Sequence, residues 1–146
     1  QAHETRFNSL FHPQWSEAMI LQISRSKTQY FRWHDAGDLQ NLQHLLNIVK
    51  IAEALPLVKF WIPTREKKIV HQFNDTFGAF PDNLCVRVSA TMVDGDLPQG
   101  FSTTSSVHEF DAAKGTTCEA YKNKNKCGDC RKCWDNTVSN VSYKKH

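Results

Sequence analysis

Apolar residues recur with two different periods along the first two thirds of the chain. Phe7, Leu10, Phe11, Trp15, Ala18, Met19 and Ile23 fall at spacings of three and four, which predicts a helix over residues 2–26. Pro13 interrupts that run, so a break is expected near His12 and a second helix from Pro13 or Gln14. The aromatic run 30–34 predicts a short strand ending at the turn-forming Asp35-Ala36-Gly37-Asp38. Residues 39–55 place Leu42, Leu45, Leu46, Val49, Ile51 and Ala52 on one helical face, with Pro56 just beyond. Residues 58–62 are a continuous apolar run, suited to a strand buried on both faces, and stop at Pro63-Thr64-Arg65. A short helix over 66–73, a turn over 78–83 and a third strand over 84–92 follow. In that strand Val86, Val88 and Ala90 alternate with Arg87, Ser89 and Thr91. Residues 93–117 carry no clear period and many Gly, Ser, Thr and Asp, so they read as loop.

Helices alternating with strands imply an α/β fold of parallel strands joined by right-handed crossovers, resembling part of a (β/α) barrel. The pattern divides the chain into a partial α/β domain, residues 1–117, and a loop-rich cysteine tail, residues 118–146, belonging to the same structural unit. Sites in parallel sheets gather at the C-terminal strand ends. Here those ends are His34-Asp35-Ala36-Gly37-Asp38, Pro63-Thr64-Arg65 and Ser89-Ala90-Thr91, all polar or turn-forming.

Composition narrows the class. At 146 residues, 40% hydrophobic and 11% aromatic, the chain is long and apolar enough to bury a core. No apolar run approaches the roughly 20 residues of a membrane-spanning helix, and no signal-peptide pattern opens the sequence, so no membrane is expected. The first residue is Gln1, which reads as a processed or partial product. The net charge of +3 is uneven. Residues 118–146 hold seven Lys/Arg against three Asp/Glu, and Lys122, Lys124, Lys126, Arg131 and Lys132 are a possible surface for nucleic acid or a host protein. A solvated loop beside anionic thiolates explains the same lysines.

Four of the five cysteines lie close together, as Cys118-x8-Cys127-x2-Cys130-x2-Cys133. An extracellular disulfide scaffold spreads and pairs its cysteines; this crowding points to a reducing compartment and to metal. A Cys-x2-Cys turn brings two thiolates to one centre, and two such turns sharing Cys130 place three within one short segment. That run suits an iron–sulfur cluster of the 4Fe–4S type. Structural zinc more often uses two separated Cys-x2-Cys knuckles, but the same four residues can close a zinc tetrahedron. Cys85, alone in an apolar run, reads as a core residue, and Trp134 as a shield for the metal site.

A second constellation stands at the first strand end. His34, Asp35 and Asp38 are candidate catalytic residues able to move protons or hold a metal, with Gly37, Thr64 and Arg65 as candidate ligand-binding residues. The plainer alternative makes Asp38 a helix cap and Gly37 a turn. His108, beside Glu109, is a candidate ligand, although one His in a loop is usually only solvated.

Four segments resemble the phage gene product 88 family: Ala2-His3-Glu4-x-Arg6-Phe7, Arg32-Trp33-His34-Asp35-Ala36-Gly37-Asp38, Val58-Lys59-Phe60-Trp61, and Cys127-Gly128-Asp129-Cys130-Arg131-Lys132-Cys133-Trp134. The resemblance spans nearly the whole chain. It implies a phage protein working in the cytoplasm of an infected or prophage-carrying bacterium, with an upstream cysteine-bearing segment in longer members. A more distant analogy is to radical S-adenosylmethionine enzymes. There Asp35-Ala36-Gly37-Asp38 would stand at the cofactor-binding strand end, and the C-terminal cysteines would be an auxiliary cluster. S-adenosylmethionine is then expected only with a longer form that carries the missing cysteine loop. Three functions stay open on sequence: an iron–sulfur protein of that type, a structural-zinc module binding nucleic acid or a host protein, and a metal-dependent hydrolase using His34, Asp35 and Asp38.

Overall fold

The two strongest periodic runs fold as helices in the computed structural model, which describes residues 14–33, 38–122, 124 and 126–145. Helix α1, Trp15–Ser26, turns Ser16 and Ile23 inward and ends where Lys27 takes a left-handed conformation, φ 56°. The predicted helix before it and the break near His12 lie outside the described residues. Helix α2, Leu42–Ala54, starts at Asn41, whose side chain accepts the His44 amide at 2.9 Å and so satisfies a free N–H of the first turn. Its buried Leu45, Ile48, Val49 and Ala52 repeat at three and four. Helix α3, Lys67–Phe77, runs past residue 73 because Phe77 packs on Phe73 with ring centroids 5.2 Å apart. Gly78, at φ 84°, ends it in a conformation that disfavours any side chain.

The strands are β1 Tyr30–Arg32, β2 Lys59–Thr64, β3 Leu84–Ser89, β4 Thr104–His108, β5 Thr116–Thr117 and β6 Asn140–Lys144. They form one sheet in the order β1-β2-β3-β4-β6-β5, and every neighbouring pair is parallel. The first four strands sit side by side in chain order, as a (β/α) barrel winds, without the reversal of a doubly wound sheet. This is the expected α/β architecture with three more strands than the sequence pattern suggests. β4 and β5 arise within 93–117, a stretch whose composition is that of a loop, and β6 arises within the cysteine segment, between β4 and β5. β2 also continues through Pro63 to Thr64. Alternate β2 amides face β1, as Lys59 does in donating to Gln29. The missing Pro63 N–H falls on that same side, where β1 has already ended at Arg32.

Register separates the sheet into two faces. Phe60, Ile62, Leu84, Val86 and Val88 share one face and pack against α1, α2 and α3 in the main core. Trp61, Cys85 and Arg87 point to the other, where Trp61 meets Cys133 and Val141 in a second cluster. Both faces are therefore covered, one by helices and one by the cysteine segment. No helix among the described residues is long and apolar enough to cross a membrane.

Two contacts fix α2 on this sheet. The Asn83 amide donates to the carbonyls of Ala52, Leu55 and Val58 at 2.8, 3.1 and 2.9 Å, tying the end of α2 to the starts of β2 and β3. The Ala52 and Leu55 carbonyls also accept the Leu55 and Val58 amides, so Asn83→Ala removes a shared donor, and we expect it to lower the unfolding free energy by about 1 kcal/mol in urea titration. His44 is 5% exposed, and its Nδ1 accepts the Gln40 amide at 3.2 Å. Burial holds its pKa below the usual histidine value of 6.5, against the opposing pull of Asp38. The folded state thus prefers the neutral ring. That stability is complete above the unfolded pKa and is lost as pH falls through the lower folded one. The urea midpoint should drop between pH 7 and pH 5, and His44→Gln should flatten that slope.

Candidate metal centre

Cys118 leaves β5 with its amide donating to the Ser142 carbonyl of β6 at 2.8 Å, which fixes the first cysteine to the sheet. Cys127 opens a tight turn in which Gly128 has φ 58° and the Cys130 amide donates back to the Cys127 carbonyl at 3.0 Å. Arg131 closes the same turn, donating to the Gly128 and Cys130 carbonyls at 2.7 and 2.9 Å. Cys133 lies in a short 3₁₀ turn, Lys132–Trp134. Trp134, next in line, donates its indole N–H to the Phe31 carbonyl at 3.1 Å and meets Trp61 and Tyr30 edge-on at 5.4 and 5.5 Å. This aromatic anchor presses the turn onto β1 and β2.

The result is one cavity of about 210 Å³ lined by all four cysteines of the motif, with Trp134 and Val141 as apolar walls and Lys126 and Lys132 at its rim. Cys133 is buried, Cys118 and Cys130 are half-buried, and Cys127 is exposed. Burial pushes the Cys133 thiol up to about 11, although the Tyr143 hydroxyl and Arg87 favour its thiolate. Tyr143 Oη lies 2.9 Å from Cys133 Sγ, and a thiolate or metal-bound sulfur there can only accept from it. All five cysteines are free of disulfides. Among the described residues no group of three or more His, Cys, Asp or Glu side chains is arranged to hold a metal ion.

The strand-end constellation is organised differently. Asp38 accepts from three protein donors. Its Oδ1 accepts from the Leu39 amide at 2.7 Å and from the Thr64 hydroxyl, and its Oδ2 from the Arg65 amide at 2.9 Å. Thr64 is 2% exposed. Asp38, Thr64 and Arg65 are thus brought together as a clasp between the ends of β1 and β2, and none of them lines the cysteine cavity. His34, Asp35 and Gly37 lie outside the described residues. His108 is not a solvated loop residue: it ends β4, and its Nδ1 lies 2.8 Å from the Ser142 hydroxyl. Ser142 has no exposed surface and His108 is half-buried, so the bond links β4 to β6.

Sequence reasoning misses Arg87. Its position in a polar–apolar alternation suggests a solvent-facing residue, yet it is fully buried beneath the cysteine turn. A signal is present all the same: its strand places apolar or cysteine residues on both faces, and a charge in such a setting needs dedicated partners.

The sequence pattern of the family described as gene product 88 matches residues 1–136, a span that includes β1 to β5 and all four cysteines of the cavity. The chain belongs to the gene product 88 family. No curated protein and no solved structure matches it. The family match covers the chain from the described helices through the cysteine turn, and ends before β6.

Proposed function

We propose that this gene product 88 chain is an iron–sulfur protein whose cluster is held by Cys118, Cys127, Cys130 and Cys133 on the helix-free face of a partial barrel. The observation that carries the reading is that four cysteines from two separate stretches of chain line one cavity. The run Cys127-x2-Cys130-x2-Cys133 favours a cluster of the 4Fe–4S type over zinc, which more often takes two separated Cys-x2-Cys knuckles.

The surrounding residues fit such a centre. Trp134 and Val141 keep water from one side. Tyr143 is placed to donate to the Cys133 sulfur, and hydrogen bonds to cluster sulfurs are a main control on potential. When bound, the centre would supply one-electron chemistry. The sequential parallel strands also agree with the distant likeness to radical S-adenosylmethionine enzymes, in which this centre would take an auxiliary role.

The test is reconstitution of the full chain with iron and sulfide in the absence of oxygen. We expect about four irons and four sulfides per chain and a broad visible band that bleaches with dithionite. Uptake of one zinc in preference, with no stable iron species, would overturn the reading.

A further inference from the structure

Arg87 is an unusual residue to find in the middle of β3. It is fully buried, and its guanidinium uses all five N–H groups on backbone carbonyls. Nε donates to Cys133 at 3.0 Å, Nη1 to Thr104 and Val138 at 3.2 and 2.8 Å, and Nη2 to Lys132 and Asp135 at 3.0 and 2.8 Å. Four of these five acceptors lie in or just after the turn that carries Cys133. The turn is wrapped around a cation.

Five carbonyls replace the water that a guanidinium loses on burial, but they leave its charge uncancelled. None of the five bonds goes to a carboxylate. The acid nearest in the turn, Asp135, gives its Oδ1 to the Thr137 amide and hydroxyl at 2.9 and 2.7 Å. A buried charge with no carboxylate bonded to it is costly. The Asp135 carboxylate, held below the usual carboxylate range by its bonds to Thr137 and also by Arg87, compensates part of it from the exposed side of the turn; the sulfurs of the cavity, Cys133 first, can supply more, since Arg87 already holds the Cys133 carbonyl.

Resting on the cluster reading above, we propose that Arg87 is a positioning residue for the cysteine centre and its built-in counter-charge, favouring the more anionic state of the bound metal–thiolate group. Four thiolates around a metal core give a net negative centre. Adding one electron, with no proton, makes it more negative by one. A fixed cation held behind Cys133 stabilises the reduced form more than the oxidised form, and so raises the potential. The fork also sets the turn in place before metal arrives, so the ligands are preorganised.

The experiment compares Arg87→Met, which removes the charge, with Arg87→Lys, which keeps it but can supply at most three of the five bonds. Each full-length variant is reconstituted with iron and sulfide and titrated with dithionite while the visible band is followed. For Arg87→Met we expect the reduced-to-oxidised ratio at a fixed potential to fall at least tenfold, a downward shift of about 59 mV or more for one electron. Arg87→Lys should keep a ratio near that of the unmodified chain, yet lose iron to a chelator at least tenfold faster. An unchanged ratio in Arg87→Met, or unchanged chelator resistance in Arg87→Lys, would overturn the inference. If the unmodified chain takes up no iron, the cluster reading fails by itself, and Arg87 is then read from zinc(II) competition against a chelator. A loss of zinc affinity of tenfold or more in Arg87→Met, with a smaller loss in Arg87→Lys, supports the counter-charge; an Arg87→Met affinity equal to that of the unmodified chain or of Arg87→Lys sinks it.

Discussion

Replacing Cys130 or Cys133 by Ser is expected to remove the iron-dependent visible band completely, while Cys85→Ala leaves it at full strength. Cys130 sits in the turn closed by its hydrogen bond to the Cys127 carbonyl, and Cys133 in the following 3₁₀ turn held from below by Arg87, so each sulfur has its own fixed place on the cavity wall. A serine oxygen is a poorer ligand for a soft site than a thiolate. Cys118 stands on the opposite wall, fixed to β6, and Cys118→Ser should also abolish the band. Cys127 is the exposed member of the set, and its replacement should give an unstable residual cluster rather than an empty site. Cys85 is the same residue type as the others, but it is sealed within β3 and lines no part of the cavity. Iron and sulfide analysis of the five variants checks the set. A full iron complement in Cys133→Ser would remove that residue from the site.

Asp38→Ala is expected to cost about 2–4 kcal/mol of unfolding free energy with the iron content unchanged. One carboxylate accepts three protein donors across the strand ends, and hydrogen bonds to a charged acceptor contribute about 1.5–3 kcal/mol each, less than additively when they share it. Thr64, at 2% exposure, would be left with its hydroxyl proton unpaired toward β1. Urea unfolding followed by tryptophan fluorescence measures the loss. Asp38→Asn should fall between the unmodified chain and the Ala variant, because one oxygen remains while the amide cannot accept from Arg65. A catalytic Asp38 would behave in the opposite way, leaving stability intact when replaced.

Much of the fold is legible in the sequence because helices announce themselves by period. Leu45, Val49 and Ala52 read as one face from their spacing alone, whereas the cap is Asn41 and not Asp38, which the sequence offers for that role. β2 and β3 are legible as apolar runs, though their ends are not: Pro63 continues β2 only because β1 is too short to require its amide. β4 gives no signal. Thr104-Ser105-Ser106-Val107-His108 contains a single aliphatic residue, and it is a strand because its hydroxyls find partners on both sides. Ser105 pairs with Ser89 at 2.9 Å, and Thr104 and Ser106 bond to Asn140 at 2.8 and 3.0 Å. Such a polar ladder depends on β6, which lies far along the chain, and no local pattern can report it. β6 is hidden for the same reason, as a short polar stretch within the cysteine tail.

The candidate site divides along similar lines. Spacing alone groups Cys118 with Cys127, Cys130 and Cys133, and the sheet supplies the reason they meet: β5 and β6 return Cys118 to the turn. Arg87, which shapes that turn, looks like the polar half of an alternation, since a one-dimensional pattern cannot tell solvent from a covered face. Asp38 draws attention as a strand-end acid, and its three donors come from the residue beside it in the chain and from the next strand end.

The direct test is metal analysis of the full chain purified without oxygen from cells given both iron and zinc, with no metal added afterwards. About four irons with matching sulfide per chain is the predicted result. Stoichiometric zinc and no sulfide would contradict it, making the four cysteines a structural tetrahedron and leaving the partial barrel without a redox centre.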